Sequence, residues 1–387
     1  MYIHRLAENK LLSWTKTPKI LLLLGGRQTG KTTLIKEVLK SFKTTCLNLD
    51  IEIDKQKLFN AIPLAPLQAI ESLGYPDILV IDEAQRLPKI SQVVKGWYDS
   101  GVFTQTILSG SSSLNILDQS AESLTGRNIK IFLPPLVFSE IISSQSWYQP
   151  AINLKKTSAF SGQIFSLLLS SITFGNYPEV VTRLNKIEYL NNLVSDFLLK
   201  DIFQLGLVKS PEALRRLLLL LAYQLGSIVS TNELAKNLEV SRSTVDRYLD
   251  LLEQTFVIFR LPAFNTNPRK EIAKSQKIFF WDTGVRNALI GELNPHPLRS
   301  DIGQLWENWV VSEFAKINLL DGNMSKLYFW RSRTGSEVDL VIKHIDGTLK
   351  AYEIKWSASN PRAKAFTGLY KIPIKTVNQR NFIQYFV

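Results

Sequence analysis

Nine consecutive residues carry the strongest chemical signal in the sequence: Gly25, Gly26, Arg27, Gln28, Thr29, Gly30, Lys31, Thr32 and Thr33. Their pattern is GxxxxGK[ST], in which glycines let the backbone curl so that its N–H groups surround a chain of phosphates. Lys31 would reach the β- and γ-phosphates, and Thr32 would offer its hydroxyl to Mg²⁺. An acidic pair, Asp82-Glu83, stands about fifty residues on. Asp82 is placed to hold Mg²⁺, directly or through water, and Glu83 to polarise the water that attacks the γ-phosphate. An acidic turn closing a strand is the competing reading. Ser111, within SGSSS, can sense the γ-phosphate or simply belong to a Ser/Gly turn. Arg127 can stabilise a transition-state phosphate of its own or a neighbouring subunit, or be a solvated surface arginine.

Such groups act together only if strands deliver them to one place. Ile20–Leu24 is a short apolar run suited to a buried parallel strand, and Leu34–Phe42 has a helical pattern, so the glycine-rich loop sits between strand and helix as a P-loop must. The helix start adds a dipole that favours anions. Ile78–Ile81 is a second wholly apolar strand and ends at Asp82. Thr106–Leu108 leads into Ser111 and is expected between the two phosphate-contacting strands, and Ile129–Leu133 follows Arg127 as a further strand.

LLGGRQTGKTTL, LVIDEAQRLP, ILSGSSS and LTGRNIKIFLPPLVFSE together resemble a bacterial and archaeal family of AAA-type ATPases. Its members pair the ATPase domain with a carboxy-terminal region of unknown function. The resemblance covers almost the whole chain and implies an α/β ATPase core. In it Arg127 matches a recurrent Gly-Arg and Pro134–Glu140 a Pro-Leu-x-Phe-x-Glu segment, while Gly26 stands where many members have proline. The largely helical stretch from Pro150 to about Gly206, broken by Gly175-Asn176-Tyr177-Pro178, corresponds in that resemblance to a lid.

The next segment reads as a winged helix-turn-helix. Arg215–Leu225 is a strongly apolar helix; Ser230 opens a second over Glu233–Asn237; Ser241 caps a third over Arg242–Gln254; Phe256–Leu261 is a strand. The third helix would present Arg242, Ser243, Thr244 and Arg247 to nucleic acid, although such folds also mediate protein contacts. Arg269, Lys270, Lys274 and Lys277 would extend a basic surface to phosphates.

Towards the carboxyl end, Gln304–Phe314 reads as an amphipathic helix, followed by strands Lys326–Trp330, Glu337–Ile342 and Ala351–Trp356. Arg331 and Arg333 lie in a basic turn between the first two, again candidates for nucleic acid. A helix glutamate, a strand aspartate and a following Glu-x-Lys resemble the PD-(D/E)xK nuclease core. On that resemblance Asp339 and Glu353 would bind a divalent metal, Glu307 would be an additional ligand, and Lys355 would position the attacking water. Carboxylate oxygens suit Mg²⁺ or Mn²⁺ in phosphodiester cleavage, although such domains also serve as DNA-binding platforms without cleavage.

The chain has 387 residues, of which 45% are hydrophobic and 21% charged, so several cores can be buried and disorder is excluded. A single cysteine, Cys46, excludes an internal disulfide and a cysteine-built zinc site, and three scattered histidines argue against a histidine cluster. The longest apolar runs fall far short of the roughly 20 residues that span a bilayer, and the amino terminus has no apolar signal core. A cytoplasmic location without membrane partners is expected. Net charge is +12; residues 1–150 hold 16 basic and 13 acidic residues, the remainder 30 and 21, and none of the acidic ones follows Ile354. A basic carboxy-terminal half points to nucleic acid, DNA above all.

The expected architecture is therefore α/β: an AAA-type P-loop core with a parallel sheet over 1–145, a helical lid over 146–208, a winged helix over 209–290 and an α+β restriction-endonuclease-like domain over 291–387. The expected cofactors are ATP and Mg²⁺, with Mn²⁺ a candidate at the nuclease-like site, and a homo-oligomer is possible. Three uses compete: a DNA-processing ATPase that cleaves, a nucleotide-switched DNA-binding regulator that does not, and an ATP-controlled protein-binding switch.

Overall fold

The structure is a computed structural model that describes residues 2–102, 104–111, 124–149, 154, 160–198, 208, 210–265, 276–322, 325–332, 334–358 and 363–387. The chain forms two compact units. One comprises His4–Pro134 with Gln254–Phe256, and the other the rest of the chain.

The first unit runs α1 (Glu8–Trp14), β1 (Ile20–Leu24), α2 (Lys31–Val38), β2 (Thr44–Asn48), α3 (Glu52–Ala61), α4 (Pro66–Ser72), β3 (Ile78–Asp82), α5 (Ile90–Asp99), β4 (Gln105–Gly110) and β5 (Asn128–Phe132). Its five strands make one sheet in the order β2-β3-β4-β1-β5, and every pairing is parallel. β1 is flanked on both sides, and all five of its residues are buried, which is why it is apolar without alternation. Ile20, Leu22 and Leu24 point to one face and join Leu58, Ile70, Val94 and Trp97 of α3, α4 and α5 in a single core. Each such side chain contributes roughly 1.5–3 kcal/mol by leaving water. Because the strands are parallel, the carboxyl ends of β1, β3 and β4 share one edge, with β4 in the middle. Helix α2 starts earlier than its apolar pattern suggests, because Gly30 at φ 94° turns the loop directly into the first helical turn.

The second unit begins with α6 (Phe138–Ser143), α7 (Ser161–Phe174), α8 (Pro178–Thr182) and α9 (Lys186–Asn192). Then come α10 (Pro211–Tyr223), β6 (Ile228–Val229), α11 (Thr231–Leu238), α12 (Arg242–Gln254), β7 (Ile258–Pro262) and β8 (Gln276–Phe280). Ser230 and Ser241 cap α11 and α12 through their hydroxyls, as their positions before the two helices suggest. The strand after α12 starts two residues later than expected, since Phe256 adopts φ 59° and breaks the extended run. β6, β8 and β7 form a three-stranded antiparallel sheet.

Past α13 (Thr283–Ile290), the long helix α14 (Ile302–Asp321) leads into β9 (Lys326–Arg331), β10 (Glu337–Lys343) and β11 (Leu349–Ile354), then α15 (Lys364–Tyr370), β12 (Ile374–Val377) and α16 (Ile383–Phe386). The sheet order is β12-β11-β10-β9, antiparallel except for the parallel pair β11–β12. A shift of register between Val338 and Val341 bends β10 at the position of Asp339.

A buried polar hub organises this second unit. Glu313 of α14, fully buried, accepts from Phe138 N–H at 2.8 Å, Asn176 Nδ2 at 3.2 Å and Lys316 Nζ at 3.0 Å. Asn176 N–H donates to Asp282, and the Ser171 hydroxyl donates to the Asn176 side chain while accepting from Trp309 Nε1. The Gly-Asn-Tyr-Pro break between α7 and α8 is thus a built feature, and Gly175 (φ 75°) packs so closely on Asp282 that no side chain fits. The Pro-Leu-x-Phe-x-Glu segment joins the same hub: Glu140 closes onto Val137 N–H, and the Phe138 ring packs edge-on against Trp309.

Candidate nucleotide site

The glycine-rich loop closes on itself and on β5. A Cβ on Gly25 would lie 2.2 Å from the Leu133 carbonyl oxygen, so only glycine permits this approach. Gln28 and Gly30 both take positive φ (60° and 94°), which curls the loop between them. The Thr29 hydroxyl donates to Gly26 O at 2.9 Å. Lys31 Nζ, itself buried, donates to the carbonyls of Gly25 (2.8 Å) and Gly26 (2.9 Å), so the ammonium is held within the loop it serves.

Three strand ends meet at this loop. Thr32 Oγ1 donates to Asp82 Oδ2 at 2.7 Å, and Ser109 Oγ donates to Asp82 Oδ1 at 2.7 Å. Asp82 is therefore locked between α2 and β4. Thr32 and Asp82 offer hard oxygen atoms at one point, and these residues fit Mg²⁺. Bound there with nucleotide, the ion would offset the negative charge of the phosphates. Glu83, the next residue, sits at φ 54°, a strained value for a glutamate. Its carboxylate accepts from Gln85 Nε2 at 2.5 Å and from Ser111 Oγ at 3.4 Å, and Gln85 Nε2 also reaches Ser111 Oγ at 3.1 Å. Burial pushes the Glu83 carboxyl above its ordinary pKa, Lys31 pulls it back and Asp82 adds to the rise.

Ser109 and Gln85 lie within the motifs SGSSS and LVIDEAQRLP without being singled out there, and Arg5 lies outside every motif. Arg5 is buried and donates to Thr29 O at 2.8 Å and to Pro134 O at 2.7 Å. It pins the phosphate loop to the chain leaving β5.

Arg127 lies at the opposite end of the sheet. Its carbonyl accepts from Ile20 N–H at the amino end of β1, five strand residues or roughly 16 Å from the loop. Its Nε pairs with Asp99 Oδ1 at 2.6 Å, which raises its pKa further. The expectation that Arg127 reaches a phosphate bound to its own chain is thereby corrected: the span exceeds an arginine side chain.

The candidates of the second unit are spread over several elements. At the start of α12, the Ser243 and Thr244 hydroxyls bond the capping Ser241, Arg242 is exposed and faces Asp246 at 3.6 Å, and Arg247 lies over the Tyr248 ring. Arg331 is half-exposed, 3.8 Å from Glu337. Arg333, Arg269, Lys270 and Lys274 lie outside the described residues. Asp339 and Glu353 are buried on neighbouring strands, with Lys355 Nζ 3.4 Å from Asp339 and 3.8 Å from Glu353. Glu307, expected as a third metal ligand, instead bonds Lys277 at 2.8 Å. Among the described residues, no three acidic, histidine or cysteine side chains converge so as to hold a metal ion. Glu307 thus does not fit the metal set of the nuclease resemblance, because Lys277 already pairs with it, whereas Lys355 stands beside Asp339 and Glu353 as the lysine that the resemblance itself places there.

The sheet order and the strand-end cluster define an AAA-type P-loop ATPase fold, and residues 17–142 match the family described as AAA domain. Residues 166–296 and 302–386 match two domains of unknown function (DUF8612 and DUF4143). Uncharacterized proteins of Mycobacterium bovis and Mycobacterium tuberculosis are each 29% identical over 349 residues, 87% of this chain and 70% of theirs. One from Methanocaldococcus jannaschii is 26% identical over 336 residues, 84% of this chain and 72% of its own. A solved structure, the Walker-type ATPase of Pyrococcus abyssi, superposes with a TM-score of 0.49 at 16% identity, covering 73% of this chain and 94% of that one. Among the described residues, no helix is long and apolar enough to cross a membrane.

Proposed function

We propose that this chain is a Mg²⁺-dependent ATP hydrolase whose carboxy-terminal half engages nucleic acid. The observation that carries the hydrolase is the bond chain Thr32–Asp82–Ser109, which draws the phosphate loop, β3 and β4 to one point. In this reading Lys31 grips the β- and γ-phosphates, Thr32 and Asp82 hold the metal, and Glu83 orients the attacking water. Ser111 is placed to report the γ-phosphate, since its hydroxyl already bonds both Glu83 and Gln85. Arg127 acts in this scheme only from a neighbouring subunit.

Support for nucleic acid comes from the basic balance of the second half, together with exposed Arg242 and half-exposed Arg331. An α–β–β–β–α–β order from α14 to β12 supports the nuclease-like reading of the fold. The Lys277 ammonium paired with Glu307 favours a binding role without cleavage. Purified Lys31→Ala protein, given radiolabelled ATP and Mg²⁺ with and without DNA, is expected to lose turnover. Hydrolysis at the wild-type rate would sink the reading.

A further inference from the structure

The acidic pocket of the carboxy-terminal region already contains a cation, and the chain itself supplies it. Lys277 of β8 is only 3% exposed. Its Nζ lies 2.8 Å from Glu307 Oε1 on α14 and 2.6 Å from Glu337 Oε1 on β10, and 5.6 Å from the centre of the Phe329 ring on β9. One ammonium group therefore joins four elements. The backbone repeats the connection: Phe264 N–H donates to Phe329 O at 2.6 Å, and Ala263 bridges to the same residue. Gly226, in the turn before β6, closes in on the same group, since a Cβ there would come within 3.2 Å of Glu307 Oε2.

The neighbouring carboxylates face a second ammonium. Asp339 Oδ2 accepts from Ile354 N–H at 2.6 Å and from Lys355 Nζ at 3.4 Å, while Glu353 Oε1 lies 3.8 Å from the same nitrogen. The two sets are electrostatically continuous. Burial raises the Glu307 carboxyl's pKa, Lys277 opposes the rise, and the charge of Asp339 adds to it. Burial alone would lower the Lys277 pKa, but Glu307 and Glu337 outweigh it and hold the group charged.

A Mg²⁺ or Mn²⁺ ion entering between Glu307 and Asp339 needs a near-octahedral set of oxygens. Recruiting Glu307 to that set would break its ion pair with Lys277 and leave the buried ammonium to Glu337 alone, which is unfavourable. We propose that Lys277 is the resident cation of this pocket. It stands in place of the divalent ion that the nuclease resemblance implies, and it makes the pocket a fixed electrostatic joint between the three-stranded and the four-stranded sheet rather than a phosphodiester-cleaving centre. The inference deepens the carboxy-terminal part of the proposed function and does not involve ATP, so its test is run without nucleotide and can fail independently.

The test counts Mn²⁺ bound by the full chain, using the paramagnetic resonance of free Mn²⁺, in four proteins: wild type, D339N, K277M and K277M/D339N. Wild type and D339N are expected to bind the same number. K277M is expected to gain one ion, because a neutral side chain of similar length frees the carboxylates, and the double variant to lose it again. K277R, which keeps the cation, should match the wild type. A wild-type ion that D339N removes would overturn the inference, and so would a K277M protein that gains none. If K277M is too unstable for the count, its melting midpoint replaces it: a rise in Mn²⁺ that the double variant lacks supports the proposal, and no rise overturns it.

Discussion

Replacing Arg5 by methionine isolates what holds the phosphate loop in shape. Arg5 is 6% exposed, and its guanidinium donates two charge-assisted hydrogen bonds, to Thr29 O and Pro134 O, across 24 and 129 residues of sequence. Bonds of this kind contribute about 1.5–3 kcal/mol each, and a carbonyl left buried without a donor costs on the same order. Methionine keeps much of the aliphatic packing, so the expected net loss is about 3 kcal/mol, a large part of a typical domain's 5–15 kcal/mol. The loss falls on the loop itself. Thr29 sits between the two residues whose positive φ curls the loop, so its freed peptide should also weaken nucleotide binding by about tenfold, equivalent to ~1.4 kcal/mol. Arg5→Lys can reach only one carbonyl well and should fall between. Urea unfolding gives the stability and a fluorescent ATP analogue gives the affinity. An R5M protein with wild-type midpoint and wild-type affinity would refute the reasoning, since neither bond could then be contributing.

Gln85→Leu should shift the pH dependence of turnover. The ionised Glu83 is the form that orients water, so rate rises as pH climbs through its pKa; burial has already raised that pKa, and the Gln85 hydrogen bond lowers it. Removing the bond raises it again, so the acid limb of the kcat profile should move to higher pH, and a limb that stays put would remove Gln85 from the mechanism. Gly284→Ala should destabilise the second unit by about 3 kcal/mol, because the new Cβ would meet the Phe174 carbonyl oxygen at 2.0 Å and backbone cannot yield cheaply. Chemical denaturation of the variant measures this directly.

Much of the first unit was legible in the chain because its signals are local. β1, β3 and β4 each announce themselves as short apolar runs, and strands buried on both faces need no alternation to be recognised. The capping serines before α11 and α12 are legible for the same reason, since a cap and its helix are adjacent in sequence. β8 and α13 escaped notice: the first follows an uninformative basic stretch, and the second is an eight-residue helix with a modest apolar face. Phe256 belongs to an apolar run yet takes a left-handed turn, a choice that residue type does not reveal.

By itself, then, the sequence determined the phosphate loop, because the groups that cradle phosphate are consecutive backbone amides and one lysine, whose spacing is their geometry. It also determined that an acidic strand end would follow. Only the tertiary structure decided that Ser109 and Thr32 share Asp82, that Arg5 braces the loop from 129 residues before Pro134, and that Arg127 stands at the wrong end of the sheet for its own site. It likewise decided that Lys277, thirty residues before Glu307, pairs with that carboxylate, which the carboxy-terminal motif suggests for a metal. The physical reason is common to all four. A charge or hydrogen bond between distant segments exists only once packing has brought them within about 3 Å, and residue types at those separations carry no trace of which partner is chosen.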